Sequence, residues 1–366
     1  MDKVRLSLIN GIQSTLWDKQ LDDNLFLSLS ESDWNTFYDL ASRNTIEGLL
    51  FDVLEKLPDN TQIPKSLISK WCVRIEQIKD RNLRTNSNIA DQLSVFAKAN
   101  IQPVLQKGQG IAQFYPNPQH RNCGDIDWYF DNKPDFEKAC EIGKEKGENF
   151  SRSIKDAFFL WNGLETEYHT RLVETRNPLK WKYIKSLEKK YESQQEFMYL
   201  QNMRVKLPAP LLNIVLVHIH ILKHQITYGI GMRQLCDAAV LLKTFHNKYD
   251  SQELHRVYKT LGVLPWVHVF HGLLVKYIGL NEDYLPFKIK LSSNKDIDWM
   301  LNDILRGGNF GFNHMEYDDY SSKSGRVNKT ERLSNSFIKY VQLAPFETLV
   351  FPAFQVFNKF FKKKYK

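Results

Sequence analysis

Along the first hundred residues the apolar positions recur every three or four places. Phe37, Leu40 and Ala41 follow the capping residues Ser30, Ser32 and Asp33, and predict a helix opening near Trp34. Ile46, Leu49, Leu50, Val53 and Leu54 predict a second helix that stops before Pro58. A longer stripe, carried by Ile68, Trp71, Cys72, Ile75, Ile78, Leu83, Ile89, Leu93, Val95 and Phe96, predicts one helix from about Pro64 to Asn100 and the core of a helix bundle.

The pattern changes at Ile101. The segment 101–106 is short and apolar, as a strand is, and Lys107-Gly108-Gln109-Gly110 follows it. A helix-like stretch from Gly110 to Tyr115 leads into a turn-rich loop that ends at Gly124. Asp125 to Phe130 alternates acidic and apolar side chains, the pattern of a strand with one functional face. Pro134 to Gly147 predicts a helix capped at Asp135 or Pro134. Asn162-Gly163 lies inside the segment 158–172 and predicts a hairpin there. From Pro208 helical spacing returns, with helices expected over 211–223, 232–245, 252–261, 264–278 and 297–305, and loops at 307–311 and 317–328. The order predicts an α+β protein. Its expected parts are an N-terminal helical region (1–100), a small sheet-containing core (101–175), a C-terminal helical domain (205–310), and a loop with a basic aromatic tail (311–366).

Composition narrows the partners slightly. The 366 residues carry a net charge of +8, which favours anionic partners. Each long apolar run is cut by charge, as Leu211 to Leu222 is by Lys223, short of the ~18 apolar residues a span needs. No small-residue cleavage site follows Met1, so no signal peptide is expected. Cys72, Cys123, Cys140 and Cys236 are scattered without C-x-x-C spacing, which points to a reducing cytoplasm. Neither G-x-G-x-x-G, the Walker pattern nor a serine–histidine hydrolase elbow is present, which argues against a Rossmann dehydrogenase or a P-loop ATPase.

The candidate chemistry begins with Asp125 and Asp127. Positions i and i+2 of a strand share a face about 7 Å apart, so the two carboxylates repel unless a cation separates them. Hard oxygen ligands suit Mg²⁺. A third acid on a neighbouring strand would complete a two-metal clamp, and Glu167 is the candidate, with Glu165 the substitute at the same parity. Gly108 would let backbone N–H groups approach a phosphate, Lys107 would add a point charge, and Arg121 a bidentate contact.

Lys107-Gly108, Tyr115-Pro116, Arg121-x-x-Gly124-Asp125-Ile126-Asp127 and Glu167-x-His169 together resemble an uncharacterised bacterial nucleotidyltransferase family of the polymerase-β-like superfamily. His220-x-x-x-His224 and Gly231-Met232-Arg233, running on to Asp237, resemble its C-terminal helical region, and the likeness covers about residues 35 to 245. The resemblance implies a small mixed-sheet nucleotidyltransferase core with flanking helices. It implies transfer of a nucleotidyl group from an NTP, ATP being the expected donor, to a hydroxyl or phosphate acceptor that it does not identify. It further implies Asp125, Asp127 and Glu167 as ligands of Mg²⁺ (two ions expected), Gly108 in the phosphate loop, and Arg233 on the triphosphate. The chain departs from the wider superfamily in having Gln109 after Gly108, where serine or glycine is usual, and in the long gap from Gly108 to Asp125. A non-catalytic nucleotide-binding or scaffold protein of the same fold is the alternative.

The remaining motifs are less specific. His169 is read as orienting Glu167 or touching a phosphate, with a core histidine as its bland counterpart. His220 and His224 share a helix face and are expected to line a groove more than to bind metal. Trp128 and Tyr129 are expected beneath the sheet or against a base. The tail from Phe351 holds five lysines and no acid, with Phe354, Phe357 and Phe361 on one helical stripe. It predicts either a docked terminal helix or a peripheral contact with the inner face of an anionic membrane. Nucleic-acid binding ranks below both, since no recognition motif is visible.

Overall fold

The computed structural model describes residues 1–290, 294–309 and 329–350, with the side chains of 329–335 left aside. The expected loop at 317–328 and the tail from Phe351 lie outside the described residues. The chain divides into two compact units. The first comprises Met1–Ala41, Ile46–Val173 and Lys185–Leu216, and the second Ser42–Thr45, Glu174–Ile184 and Val217–Lys366.

In chain order the helices are α1 (Lys3–Trp17), α2 (Asp23–Leu27), α3 (Glu31–Arg43), α4 (Glu47–Phe51), α5 (Lys65–Lys98), α6 (Gly108–Ala112), α7 (Lys133–Lys146), α8 (Trp181–Lys190), α9 (Pro210–Thr227), α10 (Met232–Thr244), α11 (Ser251–Leu261), α12 (Leu264–Leu273), α13 (Asn294–Gly307) and α14 (Lys329–Leu343). The strands are β1 (Val104–Gln106), β2 (Ile126–Tyr129), β3 (Glu148–Arg152), β4 (Asp156–Trp161), β5 (Leu164–His169), β6 (Glu196–Leu200) and β7 (Met203–Leu207). The fold is α+β, as expected.

In the first unit, Ser30 and Asp33 cap α3 reciprocally. The Asp33 N–H donates to Ser30 Oγ at 3.3 Å, and the Ser30 N–H to Asp33 Oδ2 at 2.8 Å. The buried Trp34, Phe37 and Tyr38 of α3 meet Trp71 of α5, with the Tyr38 and Trp71 rings 5.2 Å apart. Helix α5 differs from its expected stripe. Ile68, Cys72 and Leu83 are exposed, and the buried face turns polar at Asn82, Thr85, Asn88 and Gln92. Each of these polar groups has work in the interior. Asn82 Nδ2 donates to the carbonyls of Gln119 (2.7 Å) and Arg121 (2.9 Å), and Asn88 Nδ2 to that of Trp161 (3.2 Å). A periodicity argument scores such residues as solvent-facing, although buried polar groups are stable once paired.

Seven strands among the described residues form one mixed sheet in the order β3-β4-β5-β2-β1-β7-β6. β2 runs parallel to β5 and β1 parallel to β7; the other neighbours are antiparallel. Alternation sorts the side chains onto two faces. Leu105, Ile126, Trp128, Ala157, Phe159 and Tyr168 pack with Ile89 and Phe96 of α5 and with Phe136, Ala139 and Cys140 of α7. Trp128 is therefore a core residue, its indole N–H donating to Gln92 Oε1 at 2.9 Å. Gln106, Asp127, Tyr129, Asp156, Glu167 and His169 share the other face.

One local expectation needs correction, and two elements have no counterpart in the sequence pattern. Helix α7 is capped by Asn132, whose Oδ1 accepts the Asp135 N–H at 2.9 Å, with Pro134 inside its first turn. The sheet gains β3 at one edge and the β6–β7 hairpin at the other. That hairpin turns on Gln201 and Asn202, both left-handed (φ 47 and 66), without the glycine that marks most such turns.

In the second unit, α9 buries His218 against Tyr258 of α11 and Phe270 of α12. Asn44 seats the start of α10. Its Oδ1 accepts the Met232 N–H at 3.2 Å and its carbonyl the Arg233 N–H at 3.3 Å. Gly231 is required there because a Cβ would stand 2.8 Å from the Asn44 carbonyl oxygen. The carboxylate of Glu347 accepts the Arg176 N–H at 3.0 Å and the Thr175 hydroxyl.

Candidate active site

The site lies on the second face of the sheet and starts where β1 ends. Lys107 and Gly108 both take positive φ, 46 and 39, and turn the chain abruptly into α6. Gly108 suits that geometry, since a side chain is strained at positive φ and its Cβ would stand 3.4 Å from the Asp125 carbonyl oxygen. Arg121 is buried and donates from Nη1 to the Gly108 carbonyl at 3.1 Å, so it holds this turn from behind. Gln109 points inward and donates to Asn82 Oδ1 at 3.2 Å, tying the turn to α5.

β2 and β5 bring the acids together. Asp127 is the direct register partner of Glu167, so two carboxylates stand side by side on adjacent parallel strands. Glu165 has the same parity but is exposed opposite Leu160, which leaves Glu167 as the acid beside Asp127. Lys107 Nζ lies 3.0 Å from Asp127 Oδ2. His169, two residues beyond Glu167, places Nε2 3.0 Å from Asp127 Oδ1 and 3.4 Å from Glu167 Oε2. Its Nδ1 lies 3.0 Å from Asp156 Oδ1, across the β4–β5 ladder.

Charge is concentrated here with little water. Asp127 is 2% exposed. The charge on Asp127 and burial push Asp125 up to about 6, against the opposing pull of Lys107. Burial alone would raise Asp127 as well, but Lys107 and the His169 hydrogen bond hold it well below the usual carboxylate range. Burial would lower Lys107 and His169, yet the surrounding carboxylates keep both protonated well above their ordinary values. Asp125, Asp127, Asp156 and Glu167 thus face two protonated bases, an excess of negative charge that a further cation would offset. Among the described residues, the ligand atoms of Asp127, Glu167 and His169 all lie within 4.8 Å of one another.

Of the residues singled out from sequence, Lys107, Gly108, Arg121, Asp125, Asp127, Glu167 and His169 belong to the first unit and gather around the β1–α6 turn and the β2–β5 pair. Arg233 belongs to the second unit, in the first turn of α10. Tyr129 shares the site's face and donates its hydroxyl to Glu188 Oε2 at 3.0 Å. His220 and His224 do share one face of α9, with ring centroids 4.4 Å apart. Asp156 escaped sequence reading. Counting outward from the two-residue Asn162-Gly163 turn places it opposite His169, but no alternation marked the start of its strand.

Clustered carboxylates opposed by a lysine and a histidine beside a glycine turn suit phosphate-transfer chemistry. The comparisons specify the class. A model of an uncharacterised nucleotidyltransferase family matches residues 30–279, more than half of the chain, and the protein belongs to that family. It is accordingly a transferase with a nucleotide substrate. Among solved structures, an antigenic nucleotidyltransferase-like protein from Paracoccidioides brasiliensis is 12% identical, with 56% of this chain and 94% of that chain covered and a TM-score of 0.32. No curated protein matches. Among the described residues, no helix is long and apolar enough to cross a membrane.

Proposed function

We propose that the protein moves a nucleoside monophosphate from an NTP, with ATP the first donor to test, to a hydroxyl or phosphate acceptor, releasing pyrophosphate with Mg²⁺ as cofactor. The observation that carries this is the register pairing of Asp127 with Glu167 beside Lys107 and His169. The residues fit a divalent cation, because Asp125, Asp127, Asp156 and Glu167 outnumber Lys107 and His169 and the ligand atoms of Asp127, Glu167 and His169 lie within 4.8 Å of one another. Asp125, Asp127 and Glu167 would hold it. Bound there, the cation supplies charge for the α-phosphate and makes the acceptor hydroxyl more acidic.

The chain's own groups do the rest. Glu167, partly open to solvent, takes the acceptor's proton as the acceptor oxygen bonds to the α-phosphorus. The bond from that phosphorus to the bridging oxygen breaks, and pyrophosphate leaves with the electron pair. Lys107 and the backbone at Gly108 receive the phosphates, Arg121 keeps that turn in place, and His169 stands beside Asp127 and Glu167. The four cysteines, scattered along the chain without C-x-x-C spacing, support a reducing cytoplasmic setting.

Incubation of the full chain with each NTP and a panel of acceptors, read by mass spectrometry and pyrophosphate release, tests the reading. Release that survives in both Asp125→Ala and Asp127→Ala would overturn it. Nucleotide binding that is indifferent to divalent cations, with no pyrophosphate released, would favour a scaffold.

A further inference from the structure

We propose that His169 is itself a ligand of the cation, through Nε2, and that Asp156 is the positioning residue that makes it one. The inference rests on the divalent-cation reading above and adds His169 to the coordination set proposed there.

The geometry is that of neighbouring ligands on one ion. Two donors at right angles on an ion about 2.1 Å away are themselves about 3 Å apart. His169 Nε2 stands 3.0 Å from Asp127 Oδ1 and 3.4 Å from Glu167 Oε2, and the three atoms lie within 4.8 Å of one another. An ion seated among them would replace the direct contacts they now make.

Asp156 sets the ring. It is the direct cross-strand partner of His169, and its Oδ1 lies 3.0 Å from Nδ1. A carboxylate there accepts a hydrogen bond from Nδ1–H, so that an ion displacing the Nε2 proton meets that lone pair, as outer carboxylates arrange behind ligating histidines. Asp156 is fixed in turn by the Ser153 turn, where its N–H donates to Ser153 Oγ at 3.0 Å. The sheet therefore defines which nitrogen faces the acids before any ligand arrives. One imidazole among carboxylates also shifts preference from Mg²⁺ toward Mn²⁺ and later transition ions.

The test uses Mn²⁺ with the full-length chain. Pulsed electron paramagnetic resonance of the Mn²⁺-loaded protein should show nitrogen coupled to the ion, with the pattern changed by ¹⁵N-histidine labelling. His169→Asn should remove that coupling and weaken Mn²⁺ about tenfold to a hundredfold, and Asp156→Asn should weaken it about tenfold. Mn²⁺ that binds in an Asp127-dependent way without nitrogen coupling would overturn this inference and leave the cation reading standing. Absence of any Asp127-dependent Mn²⁺ binding would overturn both. The isotope comparison needs only the unsubstituted chain, so a variant that fails to fold does not shield the proposal.

Discussion

Asp127 and Glu167 are one-to-one register partners on the parallel strands β2 and β5, although 39 intervening residues separate them in the chain. Parallel pairing puts both side chains on one face at one level. Everything else in the site is arranged around that pair: Lys107 on one oxygen of Asp127, His169 on the other, Asp156 behind His169.

Removing a member of the pair should stop the chemistry without unfolding the sheet. Asp127→Asn keeps the shape and deletes the charge, so pyrophosphate release should fall by at least about a hundredfold. Circular dichroism should stay unchanged. An unchanged rate would place the reaction elsewhere.

Gly108 is the position where backbone freedom matters. Gly108→Ala forces a β-carbon into a positive-φ turn, which costs roughly 1–2 kcal/mol. Thermal melts should show a midpoint a few degrees lower, and nucleotide titration a weaker complex. Equal stability would mean the turn relaxes freely.

Arg121 is predicted to act through the turn. Arg121→Lys keeps the charge but loses the planar donor fork that reaches the Gly108 carbonyl. Steady-state kinetics should show a raised KM for the nucleotide, with kcat changed less. A loss confined to kcat would argue for direct contact with the reacting phosphate.

Gln92 tests the polar stripe of α5. Gln92→Leu leaves the buried Trp128 indole N–H without its acceptor, a loss of about 1–3 kcal/mol read by chemical denaturation. A neutral result would mean that the indole finds another partner.

In the second unit, pH should act through two buried histidines. Burial pushes His218 down to about 3, and burial also drives His271 well below its ordinary value. Both are held neutral in the fold but take up a proton on unfolding below about pH 6.5, so the unfolded state binds more protons. Stability should be full above about pH 6.5 and be lost as pH falls toward 3, by roughly 1.4 kcal/mol per pH unit for His218, with His271 acting in the same direction. Protection factors of α9 and α12, corrected for the intrinsic exchange rate, should fall between pH 7 and 5. The fall should shrink in His218→Gln, and protection that is flat with pH would contradict it.

Local pattern was enough for Asp125, Asp127 and Glu167 as candidates, because strand parity depends only on neighbours in the chain. It was enough for the β4–β5 hairpin, because Asn162-Gly163 supplies the positive φ such a turn requires. Helices α9 to α13 were legible from their apolar spacing. The β6–β7 hairpin was not, since Gln201 and Asn202 adopt the same backbone without advertising it.

Only the tertiary structure decided which of these residues meet. The pairing of β2 with β5, and of β1 with β7, depends on how the whole sheet packs on α5 and α7, and no local period records that. It chose Glu167 over Glu165, turned Gln109 toward Asn82, and made His169 the side chain that bridges Asp127, Glu167 and Asp156. The chain alone determined which acids exist and which face of a strand each takes. Which neighbour each faces is set by burial of the opposite side of the sheet, where Trp128, Phe159 and Tyr168 leave β2, β4 and β5 one register that keeps them out of water.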